Sequence, residues 1–156
     1  MLRSLVRLVG QLAGEAADPQ EFSDSDYRLA ATALLVHLVS VDGDMNAAER
    51  QRLAEVLRQR FSLDADATAR LIAAAIDKDR EAVDLYAFTS VLNRALDDEE
   101  RRRVVEMMWE VVYADGRVDE LEDNVVWRAA DLLNVPSRDR IALKRAVAEA
   151  EAPSED

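Results

Sequence analysis

Three features of the chain predict an all-α fold, a single-domain bundle of about eight helices with two internally duplicated helix-turn-helix halves. The alphabet is helix-forming: 49% of the 156 residues are apolar, only 5% are aromatic, and four Gly and three Pro leave few breakers. Apolar residues recur at three- and four-residue spacing through long windows. Two Asp-Gly turns, each followed by Asn/Asp-x-x-Glu, then punctuate those windows where helices stop and start. A chain of this length buries roughly two-thirds of the surface its unfolded form exposes, which is enough for one real core.

Each element follows from its own stretch. Leu2, Leu5, Val6, Val9 and Leu12 predict an amphipathic helix over 2–14, and "EAADPQEFSDSD" reads as a polar linker, so residues 1–24 stand apart from a helical domain over 25–150. Asp24 or Ser25 is the expected N-cap of the next helix, over 27–41, whose "YRLAATALLVHLVSV" is apolar nearly all round and belongs in the middle of a bundle. Asp42-Gly43-Asp44 stops it, and Asn46 with Glu49 forms a capping box for a helix to about Arg60. A helix from Asp64 to Ile76 is anchored by Leu71 and Ile72, and "DKDREAVD" reads as a loop. Leu85, Phe88, Val91 and Leu92 share one face of a helix over 84–95. Asp97 or Asp98 caps the helix through "EERRRVVEMMWEVVYA", which Asp115-Gly116 ends. Asp119 and Glu122 open a helix to Asn134, Pro136 and Ser137 introduce a last one to about Ala150, and residues 151–156 read as a disordered tail.

Charge and rare residues exclude several functions. With 32 acids against 20 bases the formal charge is −12, which disfavours nucleic acid and anionic bilayers. Arg3 and Arg7 beside the stripe of residues 2–14 leave only a weak membrane contact. Zero Cys removes disulfides and thiol chemistry, and one His leaves little for a zinc site. A bound metal would therefore take oxygen ligands, as Ca²⁺ or Mg²⁺ do. No signal peptide or membrane span is read, and the expected compartment is the cytoplasm.

An offset of 73 residues superposes Asp42 on Asp115, and with it Leu34 on Met107, Leu35 on Met108, Val36 on Trp109, Asn46 on Asp119, Glu49 on Glu122 and Leu53 on Val126. The same register puts His37 on Glu110, two polar residues on otherwise apolar helices. The twice-written D-G-x-apolar-[ND]-x-x-E, with "DYRLAATALLVHLVSVDGDM" and the long segment from Phe88 to Leu133, resembles the TerB-like family associated with bacterial tellurite resistance, over about residues 25–150. That resemblance implies an all-helical fold with duplicated halves and an acidic surface proposed to bind a divalent metal. It carries Asp42, Glu49, Asp115 and Glu122 over as the acidic pattern, with Asn46 and Asp119 at the intermediate polar position. Arg117 stands where the first copy has Asp44, so the second turn is less anionic.

Two readings of the turns stay open. As pure structure, Asp-Gly supplies a tight turn and the Asn/Asp-x-x-Glu box satisfies orphan amides. As a site, Asp42, Asp44, Asn46, Glu49, Asp115, Asp119 and Glu122 hold a weakly bound, partly hydrated divalent cation, with His37 and Glu110 as polar neighbours. The leading expectation is a non-enzymatic binding or regulatory module of a bacterial stress response, with a protein partner. The alternatives are a metal-dependent hydrolase using paired carboxylates and His37, which requires a pocket holding His37, Glu110 and both turns, or a plain interaction scaffold. Trp109, Trp127, Met107 and Met108 read as packing, and "EERRRVVE" as a solvated face with helical ion pairs.

Overall fold

Helix α1 (Tyr27–Val39) lies in the middle of the bundle because its sequence leaves it no polar face. Ten of its thirteen residues are buried, and Leu34, Leu35 and Leu38 are fully so. Each fully buried leucine contributes about 1.5–3 kcal/mol of transfer free energy. The buried hydroxyl of Thr32 is not wasted, since it donates to the Arg28 carbonyl at 2.7 Å.

The computed structural model describes residues 22–23, 26–41, 43, 45–113 and 120–151. Among these the chain is all-α: α1 is followed by α2 (Ala47–Phe61), α3 (Ala65–Glu81), α4 (Tyr86–Ala95), α5 (Asp98–Val112), α6 (Glu120–Leu132) and α7 (Ser137–Glu151), with no strand among the described residues. The helix expected over 2–14 lies outside them, as do residues 152–156 of the expected tail. Helix α1 packs mainly on α3 and α4 and also on α5, while α5, the second central helix, packs mainly on α7. One continuous core results, in which Trp109 of α5 is the largest fully buried side chain.

The helix starts are written in acids and one asparagine. Asp26, Asn46, Asp64 and Asp97 are extended N-cap residues whose side chains accept from backbone N–H groups two or three residues on. Asp26, not Asp24 or Ser25, caps α1. Its Oδ1 accepts from Arg28 N at 2.9 Å, and the Arg28 guanidinium grips the same carboxylate at 3.1 and 2.8 Å. That hydrogen bond is the chief reason the Arg28 pKa is raised. Two helices end alike, on a left-handed residue (Ser62, φ 54°; Asn134, φ 62°) followed by an N–H bonded five residues back. Leu63 N donates to Arg58 O at 3.2 Å and Val135 N to Ala130 O at 2.9 Å, the Schellman pattern that satisfies orphan carbonyls.

Two expectations are corrected. The segment read as a loop from Asp77 is helix to Glu81, because Asp79 is held by His37 of α1 and the turn ends on basic Lys78 and Arg80, which suit a helix C-terminus. Helix α4 accordingly starts at Tyr86 rather than Asp84, whose Oδ1 accepts from Tyr86 N at 2.9 Å. The arginine run at 101–103 is also more than a solvated face. Arg101 and Arg102 pair with Asp98 and Glu99 one turn back, but Arg101 also donates to the Leu96 carbonyl at 2.8 Å, and Arg102 reaches Asp139 of α7 at 3.3 Å.

Candidate functional site

The first turn is built from backbone constraints. Gly43 has φ +139°, a region that L side chains rarely adopt, and its N–H donates to Ser40 O at 3.1 Å. Three residues on, the capping box is complete: Asn46 Oδ1 accepts from Glu49 N at 2.7 Å and Glu49 Oε1 accepts from Asn46 N at 3.0 Å. The pair thus spends the Asn46 carbonyl oxygen and one Glu49 oxygen on the helix start. The second Glu49 oxygen is not committed by the box.

Of the second turn, Glu122 is described. It sits in the first turn of α6 with Glu120 and Asp123, where carboxylates are favoured by the positive end of the helix. Asp123 is tied to Lys144 of α7 at 2.7 Å. Glu49 and Glu122, 73 residues apart, are 9% and 4% exposed, and they are the buried acidic residues among those described. Asp42, Asp44, Asp115 and Asp119 lie outside the described residues. Among the described residues alone, no three His, Asp or Glu side chains converge on a common point.

His37 and Glu110, aligned by the repeat offset, have different partners. His37 Nδ1 is 2.9 Å from Asp79 Oδ1 of α3. Glu110 Oε2 accepts from Arg60 of α2 at 2.8 Å, Glu106 takes the same nitrogen at 2.8 Å, and Arg52 reaches the Glu110 carbonyl at 3.2 Å. A groove between α1, α3 and α4 is lined by neither His37 nor Glu110. Sequence reasoning missed Asp79 and Arg60. Asp79 sat in an assumed loop, and Arg60 was one of several arginines on a polar face.

The Arg60 cluster ties α2, which follows the first turn, to α5, which precedes the second. Burial alone lowers the Arg60 pKa, but the hydrogen bonds to Glu110 and Glu106 more than offset this and raise it. A raised cationic group stabilises the fold below its unfolded pKa and loses that contribution only as pH climbs through the folded value. For an arginine this window lies in strong alkali, so its contribution stays level across neutral pH. Replacing Arg60 by Met keeps the stem and leaves two half-buried carboxylates without their cation. The expected cost is about 1–2 kcal/mol by urea unfolding, below the 3–5 kcal/mol of a fully buried broken pair because all three groups touch water.

No helix among the described residues is long and apolar enough to cross a membrane. No curated protein and no solved structure matches the chain. The family described as tellurite resistance protein TerB does match, over residues 28–145, which runs from the start of α1 into α7 and takes in both turns. The chain belongs to the TerB family.

Proposed function

We propose that this chain is a non-enzymatic binding and regulatory module of a bacterial stress response of the tellurite-resistance type, in which the two acidic turns hold a divalent cation and the cation-loaded surface engages a protein partner. The observation that carries the reading is the burial of Glu49 and Glu122 at matching places, each in the first turn of the helix after an Asp-Gly turn. A capping carboxylate works equally well in water, so capping alone does not call for burial at both.

The donor set fits a hard cation. Its oxygens come from Asp42, Asp44 and Glu49 at one turn and from Asp115, Asp119 and Glu122 at the other, with no thiolate in the chain and the sole histidine engaged by Asp79. Asn46 contributes through the cap, its carbonyl oxygen already accepting from Glu49 N. Bound there, Ca²⁺ or Mg²⁺ supplies charge compensation for a cluster that otherwise repels itself. Each turn offers few ligands against the six to eight that Ca²⁺ takes, so affinity is modest, with half-saturation at about 0.1–1 mM. Internal duplication of the two halves accounts for the two turns; the Schellman endings of α2 and α6 fit it loosely, Ser62 and Asn134 standing one residue out of the 73-residue register.

Titrating the protein with Ca²⁺ and with Mg²⁺ while recording backbone amide spectra tests the reading. Saturable shifts are expected at 42–49 and 115–122, and their loss in the Asp42→Ala/Asp115→Ala variant. An absence of saturable shifts up to about 10 mM ion, well beyond the range of weak Ca²⁺ modules, leaves the turns as helix caps and sinks the cation reading.

A further inference from the structure

Helices α3 and α7 begin alike, each just after a Schellman turn. Leu63 N donates to Arg58 O and Thr68 N to Asp64 O at 3.0 Å; 72 positions on, Val135 N donates to Ala130 O and Arg140 N to Pro136 O at 3.1 Å. Carried along the helices, this spacing makes Thr68, Leu71, Ile72 and Ala75 of α3 correspond to Arg140, Leu143, Lys144 and Val147 of α7. The four α3 residues are the ones that helix buries, against α1 above all. Of the four α7 residues only Val147 is buried, and Leu143 is partly so. Where α3 inserts Thr68 and Ile72, α7 presents two cations. Arg140 reaches Asp131 of α6 at 3.1 Å with its guanidinium 5.2 Å from the Trp127 ring centroid, and Lys144 reaches Asp123 of α6 at 2.7 Å while lying 5.0 Å from that of Trp109. Asp139 adds a third tie, to Arg102 of α5 at 3.3 Å. The last turn of α7 holds no base to meet the helix dipole, whereas α3 ends on Lys78 and Arg80.

We propose that α7 is a salt-labile latch, a helix docked by charge that opens as a unit while the rest of the bundle stays folded, and that its opening uncovers the Trp109 face of α5. One buried valine and one partly buried leucine give α7 far less apolar burial than α3 has, so its docking falls to the three ion pairs. Such pairs, with partners open to water, are weak singly and are screened by salt. The rest of the chain responds to salt with the opposite sign. Its 32 acids against 20 bases repel one another across the surface, so screening favours the compact bundle. Added salt therefore loosens α7 while it tightens the core beneath. This opposition separates a latch from a merely frayed terminus, which charge does not hold. The inference does not rest on a cation at the acidic turns.

Amide hydrogen exchange of the full chain, followed by NMR at two salt concentrations, tests the latch. The range runs from about 0.1 to about 1 M NaCl, over which the screening length falls from about 10 to about 3 Å. Protection of the amides of 141–148 is expected to fall about three- to tenfold, as three ties of about twofold each would give. Protection in α1 and α3 is expected to hold or rise over the same range. The Trp109 indole N–H is expected to exchange at the pace of α7 and not of α1. Lys144→Ile, which sets at this place the residue α3 has, is expected to raise α7 protection and weaken its salt dependence. Lys144→Glu is expected to lower α7 protection, and Asp123→Lys added to it to recover part of the loss. Amides of α7 as protected as those of α1, protection that rises with salt, or a salt response unchanged in Lys144→Ile overturns the proposal. A loss of protection that grows with protein concentration also overturns it, and makes exchange of α7 between two copies the event.

Discussion

Replacing Trp109 by alanine is expected to lower stability by about 3–5 kcal/mol, the range for truncating a fully buried large aromatic. Trp109 is wholly buried in α5, which packs against α1, α2, α6 and α7, and Lys144 Nζ lies 5.0 Å from its ring centroid. The space left has little chance to collapse, because helices from both ends of the chain border it. At roughly 2–4 °C per kcal/mol for a chain of this size, the melting temperature falls by about 6–20 °C. Trp109→Phe is expected to behave differently. Among the described residues the indole Nε1 is buried without a hydrogen-bond partner, a desolvation penalty of about 1–3 kcal/mol that phenylalanine removes. The phenylalanine variant should therefore lose less than about 1.5 kcal/mol despite its smaller ring. Urea unfolding followed by far-UV circular dichroism separates the two. A Trp109→Ala cost under about 1 kcal/mol, outside the range for buried aromatics, would show that the site is not closed.

Why Trp109 reads as core from sequence while Arg60 does not is a matter of range. A helix announces its buried face by local spacing, and Trp109 shares one with Val105 and Val112; α1 is plainer still, since a helix without a polar face has to be interior. Capping boxes are equally local, and the one at Asn46 and Glu49 stands as the spacing suggests. Asp77–Glu81 shows the limit. Five charged residues in succession look like a loop, yet a histidine 42 positions away holds Asp79 in a further helical turn. No periodicity encodes that contact. Arg101 was misplaced for the same reason, as its helical ion pair is visible in sequence but its bond to the Leu96 carbonyl depends on how the α4–α5 connection folds back. Of the candidate site, the acidic spacing was legible, but the burial of Glu49 and Glu122 depends on the bundle packed around them. The groove was invisible for a related reason: its walls come from three helices, and Lys78 belonged to the assumed loop.

Leu35→Ala is the second large expected effect, a loss of about 2–5 kcal/mol. Leu35 is fully buried on α1, which touches α2, α3, α4, α5 and α6, so a void there forfeits contacts in several directions. The repeat register sets Leu35 opposite Met108, also fully buried, and this makes a sharper test than truncation alone. If the two positions are equivalent packing sites, each should accept the other's residue: Leu35→Met and Met108→Leu conserve volume and should each cost less than about 1.5 kcal/mol. Guanidinium unfolding of the three variants checks this. A Leu35→Met loss as large as that of Leu35→Ala would mean that shape rather than volume is specified on α1. The volume-conserving variants should also leave the Ca²⁺ and Mg²⁺ amide shifts at 42–49 and 115–122 unchanged. Because the first turn is set by Gly43 and the capping box and not by α1 packing detail, a change in cation response with stability intact would instead make α1 a coupling element between the two sites.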